Sequence, residues 1–144
     1  MLTSQIAIGC DHAGFALKQF LINVVRDRSL KIFDFGTFNE ESVDYPDFCR
    51  AVTDAVLKSE VERGVLICGT GIGMSISANR FPHIRAALCY SEKMAKFARL
   101  HNDANIIVFG SRLVEKEIAK HCLITFLETE FEGGRHQRRI AKLS

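Results

Sequence analysis

From Gln5 to Phe109 the chain alternates short, almost wholly apolar runs with longer segments whose apolar residues recur every three or four positions. No other feature restricts the fold as much. A run such as Gly64-Val65-Leu66-Ile67-Cys68 has no polar face to offer to water. As a strand it must be covered on both sides. The segments between such runs have helical periodicity: from Phe15 to Arg28, apolar residues fall at 17, 20, 21, 24 and 25. Strands that alternate with helices imply a parallel sheet with helices on both faces and right-handed crossovers.

This reading predicts strands at 5–9, 31–35, 64–68, 84–89 and 105–109. Helices are predicted at 15–28, at 47–59, from within the glycine-rich turn after residue 68, and at 91–100, 113–129 and 135–142. Asp44-Tyr45-Pro46 reads as loop, and the only prolines, Pro46 and Pro82, read as lying between elements. A chain of 144 residues, 47% apolar and 25% charged, suits one domain over 1–144 with a single core. Open parallel sheets bind ligands beyond the carboxyl ends of the strands, where strand order reverses. In the common order 2-1-3-4-5 that point lies between strands one and three.

Bulk charge and targeting signals narrow the function classes. A formal charge of +2 is too small to argue for nucleic acid or a membrane surface. The first eight residues lack the basic flank and apolar run of a signal peptide. No stretch approaches the roughly 18 apolar residues of a membrane span. Five cysteines, Cys10, Cys49, Cys68, Cys89 and Cys122, are an odd number with no pair two residues apart. That spacing argues against a disulfide framework or zinc knuckle and for a reducing compartment. The expectation is a cytoplasmic protein.

Two turns carry most of the chemistry. Strand one ends in Gly9-Cys10-Asp11-His12-Ala13-Gly14 and strand three in Cys68-Gly69-Thr70-Gly71-Ile72-Gly73. In the second, closely spaced glycines allow backbone N–H groups to converge on an anion. A cysteine at such a helix start can have its pKa lowered from about 8.5 to roughly 3.5–7.5 and act as base or nucleophile. The plainer alternative is a buried strand cysteine before a tight turn. Met74 stands where a Walker A loop needs lysine and where a cysteine-phosphatase loop needs arginine; the dinucleotide fingerprint lacks its third glycine. Asp11 and His12 can bind sugar hydroxyls or move protons, or Asp11 can simply cap a helix. His101-Asn102-Asp103 ends a helix. Arg135 and Arg139 share a helix face and suit a phosphate, or they form a solvated basic tail. His83 and His121 read as structural or surface residues, and the five histidines show no metal spacing.

Together these residues resemble ribose-5-phosphate isomerase B, within the wider group that contains galactose-6-phosphate isomerase. The resemblance spans nearly the whole chain. It rests on the two turns, Asp44-Tyr45-Pro46, His101-Asn102-Asp103, Phe109-Gly110-Ser111-Arg112 and Glu132-Gly133-Gly134-Arg135-His136-Gln137, in that order. It implies a three-layer, doubly wound (Rossmann-like) α/β fold and a homodimer or tetramer with the active site at the dimer interface. It implies no metal and no organic cofactor. Cys68 looks like the base that moves a proton between C1 and C2. Thr70 and the Gly69, Gly71 and Gly73 amides would serve the enediolate oxygens, with Asn102. His101, with Asp11, would open the furanose ring. His12, Arg112, Arg135 and Arg139 would hold the phosphate, and Tyr45 would lie along the sugar. One branch of the family uses a glutamate directly after the glycine turn. Here that position is Met74 and the cysteine is present.

The implied reaction interconverts ribose 5-phosphate and ribulose 5-phosphate in the non-oxidative pentose phosphate pathway. Alternatives are an isomerase of allose 6-phosphate or galactose 6-phosphate, a non-catalytic sugar-phosphate-binding module, and an acyl- or phosphoryl-transfer enzyme with Cys68 as nucleophile. Strands lie about 4.8 Å apart, so residues on the far half of the sheet lie away from Cys68. His101, Asn102 and Arg112 are assigned to that half and are therefore expected to act on the partner subunit's Cys68.

Overall fold

Alternate residues of each central strand feed different helical layers, and this fixes the architecture. The computed structural model describes residues 3–144. The strands are β1 (Gln5–Cys10), β2 (Lys31–Asp34), β3 (Arg63–Cys68), β4 (Ala86–Leu88) and β5 (Ile106–Gly110). The helices are α1 (Phe15–Val25), α2 (Tyr45–Leu57), α3 (Ile72–Ala78), α4 (Glu92–Asn102), α5 (Lys116–Glu128) and α6 (Arg135–Ala141), with a 3-10 turn, His12–Gly14, before α1. Val65 and Ile67 of β3 face one core with α1, α4 and α5, built on Leu21, Ala95, Leu123 and Phe126. Leu66 and Cys68 face the other, with Val52 of α2 and Met74 of α3. The fold is the expected three-layer, doubly wound α/β arrangement around a five-stranded parallel sheet.

The strand order is 2-1-3-5-4, not 2-1-3-4-5. Burial gives the reason. All five residues of β5 are buried, whereas β4 is short and half-buried throughout. An all-apolar strand belongs in the centre, with a neighbour on each side, and a short mixed one at the edge. The reversal point still lies between β1 and β3, which pair directly.

Pro46 lies in the first turn of α2 rather than in a loop. A first-turn residue has no intrahelical acceptor for its N–H, so proline fits there without loss. At the end of β2, fully buried Lys18 of α1 forms an ion pair with Asp34 at 2.7 Å, and Asp34 also accepts the Gly36 N–H. This pair ties α1 to the loop that leads to α2. Among the described residues, no helix is long and apolar enough to cross a membrane.

The central position of β5 has an energetic consequence. Phe109 is completely buried, and truncating a buried phenylalanine costs about 3–5 kcal/mol. Phe109→Ala should lower the unfolding free energy by about that amount in urea titrations at fixed protein concentration. A loss below about 1 kcal/mol would contradict a core position for β5.

Candidate active site

The β3–β5 pairing continues past the ends of the strands. Cys68 lies opposite Gly110. Beyond that pair, the Ser111 N–H donates to the Cys68 carbonyl and the Arg112 N–H to the Gly69 carbonyl, each at 2.9 Å. On the other side, the Asp11 N–H donates to the Ile67 carbonyl at 3.1 Å. Three backbone connections thus bring Asp11, Cys68 and Arg112 to one place.

The glycines between them form a floor. Gly71 has φ +80, a conformation costly for residues with a Cβ. A Cβ on Gly110 would stand 2.3 Å from the Thr70 carbonyl oxygen. The Arg112 guanidinium lies over Gly69, where a Cβ would come within 2.8 Å of Nη1. The Tyr45 ring lies over Gly73 in the same way, 2.6 Å from the position of a Cβ. Bare backbone therefore seats two of the side chains expected at the site.

An open depression of about 460 Å³ results, lined by Asp11, Tyr45, Cys68, Gly69, Thr70, Ile72, Gly73, Ile76 and Arg112. The Asp11 carboxylate accepts the Gly14 N–H at 3.1 Å and is largely buried, so it caps the 3-10 turn as well as bordering the depression. Nearby, His12 Nδ1 accepts the Val43 N–H at 3.2 Å. That bond leaves the ring proton of a neutral imidazole on Nε2, where it can be donated to an anion. Thr70 Oγ1 accepts the Ile72 N–H at 3.2 Å, and the Thr70 carbonyl accepts from Tyr90 Oη at 2.8 Å. Ile72 and Ile76, about half exposed on α3, were not among the expected site residues. Their four-residue spacing next to the turn is the signal that marks them.

A second group gathers at the other end of the sheet. A helix that follows a parallel strand starts at the sheet's carboxyl end and returns to its amino end. The last turn of α4, with His101 and Asn102, therefore lies near the start of β5. Five residues at about 3.3 Å each place it roughly 16 Å along the strand direction from the Cys68 end. His101 stacks on His136 of α6 (centroids 4.3 Å apart, planes at 15°) and contacts Phe97 at 4.8 Å. Asn102 borders a separate depression with Asn79, Ile84 and Leu143. Arg135 and Arg139 lie on α6 with His136.

The expected site residues thus fall into two sets within one chain. Two expectations need correction. Arg112 was placed with the far half of the sheet, but β5 is next to β3, so Arg112 reaches the Gly69 turn of its own chain. His101 and Asn102 are indeed remote from Cys68, but along the strands rather than across them. The fold also brings together His101, Glu132 and His136, a group that linear spacing of histidines alone did not reveal. The four-residue interval from Glu132 to His136 was the available signal.

Environment distinguishes the five thiols. Burial pushes Cys10 and Cys122 up to about 11 and Cys89 up to about 12, and it raises Cys49. Cys68 alone of the five lines the depression. Met74, at the position where the other branch of the resembled family carries a glutamate, is fully buried in the α2–α3 core.

The chain is similar to known proteins over almost its whole length. Residues 6–143 match the family described as Ribose/Galactose Isomerase. Ribose-5-phosphate isomerase B of Escherichia coli is 44% identical over 140 residues, covering 97% of this chain and 94% of that one. A putative sugar phosphate isomerase of Rickettsia conorii is 46% identical over 143 residues, covering 99% of each chain. The crystal structure of a ribose 5-phosphate isomerase from Thermotoga maritima superposes with a TM-score of 0.95 at 50% identity, covering 97% of each chain.

The thiol environments lead to a labelling pattern. Native protein treated with a small alkylating agent at mildly alkaline pH should gain one adduct per chain, at Cys68 by peptide mass spectrometry. Preferential labelling of Cys10, Cys89 or Cys122 would contradict the burial described above.

Proposed function

Because the chain belongs to the ribose/galactose isomerase family, we propose that it interconverts ribose 5-phosphate and ribulose 5-phosphate, with Cys68 as the base. The observation that carries this reading is the convergence of Cys68, Asp11 and Arg112 on one glycine-floored depression. Ribose-5-phosphate isomerase B is also what the Escherichia coli relative is called. Residues 1–144 act as one isomerase domain in the cytoplasm, within the non-oxidative pentose phosphate pathway.

Ring opening precedes proton transfer at carbon. His101 donates a proton to the furanose ring oxygen while the Asp11 carboxylate takes the proton of the anomeric hydroxyl, and the bond from C1 to the ring oxygen breaks to free the aldehyde. The Cys68 thiolate removes the C2 proton, and the bonding electrons form an enediolate. The same thiol returns that proton to C1, while a proton passes from the C2 oxygen to the C1 oxygen beside Thr70. Amides of the Gly69–Gly73 turn, with Asn102, stabilise the developing oxyanion; such a donor is worth about 3–4 kcal/mol. His12, Arg112, Arg135 and Arg139 hold the phosphate, which is remote from the reacting carbons, so its binding energy positions the sugar. Tyr45 lies along the sugar. Each step is carried by a side chain or amide of the protein.

The site is shared by two subunits of a homodimer. His101, Asn102, Arg135 and Arg139 sit at the amino end of the sheet and Cys68 at the carboxyl end, so one chain cannot enclose a single sugar with both sets. A twofold partner can supply the missing half, and twofold dimers are the commonest closed assembly.

Chelator-treated protein should form ribulose 5-phosphate from ribose 5-phosphate at an unchanged rate, with higher kcat/KM than for allose 6-phosphate or galactose 6-phosphate. Cys68→Ala should lower kcat by about 10²–10⁴-fold and leave KM within about tenfold. Full turnover in Cys68→Ala, or loss of activity on chelation that one divalent ion restores, would refute the mechanism.

Mixing the inactive variants Cys68→Ala and His101→Ala under subunit exchange tests the shared site. Each mixed dimer should contain one intact site and recover up to about half the normal activity. Verified mixed dimers that stay inactive would place both residues in one subunit's site.

A further inference from the structure

We propose that His101, Glu132 and His136 form a binding site for one zinc-type divalent ion, and that filling it stops the isomerase. The binding half stands on the geometry alone. The inhibitory half rests on the ring-opening role proposed for His101.

Three segments build the site. The last turn of α4 carries His101, and the first turn of α6 carries His136. Between them Gly133 and Gly134 both have positive φ, at +74 and +59, so the chain turns sharply just before α6. Glu132, four residues before His136, is fixed against α4 by its N–H, which donates to the Leu100 carbonyl at 3.0 Å. One ligand atom from each of the three residues lies within 4.8 Å of the others.

The distances leave a gap at the centre. Glu132 Oε2 is 3.9 Å from His101 Nε2, and Oε1 is 3.9 Å from His136 Nε2. These are too long for hydrogen bonds. His136 is more than nine-tenths buried, and its Nε2 has no hydrogen-bond partner among the described residues. A buried polar atom left in that state is destabilising, and this one is aimed at the gap. Both Nε2 atoms face the same carboxylate, one to each oxygen. The two rings are stacked at 15°, so a shared ion, which must lie in both ring planes, requires the more exposed His101 ring to tilt out of the stack.

A metal fits these donors. Zinc takes imidazole nitrogen at about 2.0–2.1 Å and carboxylate oxygen at about 2.0–2.2 Å, which puts tetrahedral donors about 3.3 Å apart. Contraction by about 0.6 Å between the carboxylate and each imidazole, and by up to about 1.5 Å for the widest-spaced pair, supplies that spacing. Glu132 and His101 are 49% and 36% exposed and free to move, while His136 is 9% exposed and held. Two imidazoles and one carboxylate favour zinc-type ions over calcium or magnesium, which prefer oxygen ligands. Exposure on the Glu132 side leaves room for water as a fourth ligand. Arg135 and Arg139, one turn apart on this short helix, bring positive charge near the group, so affinity is weaker than at a closed structural zinc site. Once its Nε2 lone pair binds the ion, His101 can no longer exchange a proton with the sugar.

The test uses the whole, chelator-treated protein. Equilibrium dialysis should find one Zn²⁺ per chain, and Co²⁺ should give the visible absorption of a low-coordinate nitrogen–oxygen site. Zn²⁺ should inhibit turnover, and EDTA should restore it. Glu132→Gln, an exposed change whose folding is checked by thermal unfolding, should keep basal activity and weaken zinc binding and inhibition at least tenfold. Undiminished binding and inhibition in Glu132→Gln would put the metal elsewhere, for example on Cys68, and overturn the proposal. Absence of stoichiometric Zn²⁺ binding would overturn it too. Glu132-dependent binding with normal turnover would leave the metal site standing and overturn the role of His101 instead.

Discussion

The candidate site depends on the hydrogen-bond ladder between β3 and β5 continuing past the strand ends, to Gly69 on one side and Arg112 on the other. Had the chain turned away at Gly110, Arg112 would have no reason to meet the turn that holds Cys68. Instead the Ser111 and Arg112 amides bind the Cys68 and Gly69 carbonyls. The turn is then too close to β5 for any side chain at Gly110, whose Cβ would collide with the Thr70 carbonyl. One backbone constraint thus sets both the position of the cation and the need for glycine.

The same ladder explains which cysteine reaches the depression. A parallel strand alternates its side chains between two helical layers. Ile67 is buried with α1 and α5, and Cys68, one residue later and the last of the strand, faces α2 and α3. Only at that last position does the α2–α3 core give way to the open depression. Cys10 also ends its strand, but it faces the layer filled by α1 and α5 and is completely buried. Burial holds its thiol well above the ordinary range. Two cysteines at neighbouring strand ends thus have different environments because they point to opposite sides of one sheet.

Sequence periodicity made the α/β class and all five strands legible, because runs such as Val65 to Cys68 have no amphipathic interpretation. The two chemically loaded turns were legible as well, because glycine beside Cys68 and the Asp11-His12 pair are local features. Lateral strand order was not local. The sequence 84–89 and the sequence 105–109 both read as apolar strands, and only packing decided that the Arg85-containing segment lies at the edge. That single difference moved Arg112 from the far side of the sheet to the Gly69 turn. Pro46 misled for another reason: proline ends helices in general, yet is at home in their first turn. His136 was passed over because its partners, His101 and Glu132, come from an earlier helix and from the other side of two glycines.

Placing catalytic groups at opposite ends of one sheet has an electrostatic consequence for the proposed dimer. In that proposed dimer the Cys68 end would contribute Arg112 and His12 to the phosphate, and the partner's half would contribute its copies of the two α6 arginines. Without a ligand, the arginines of the two halves would face one another across the dimer cleft, where like charges repel and solvent only partly screens them. A phosphate dianion placed between them replaces repulsion by charge-assisted hydrogen bonds from both subunits. In the proposed dimer the ligand would therefore draw the two halves of its own site together. On the proposed mechanism, binding energy from a group that takes no part in the chemistry would be spent on bringing His101 to the sugar over Cys68, and a sugar without phosphate would lack the means to complete the site.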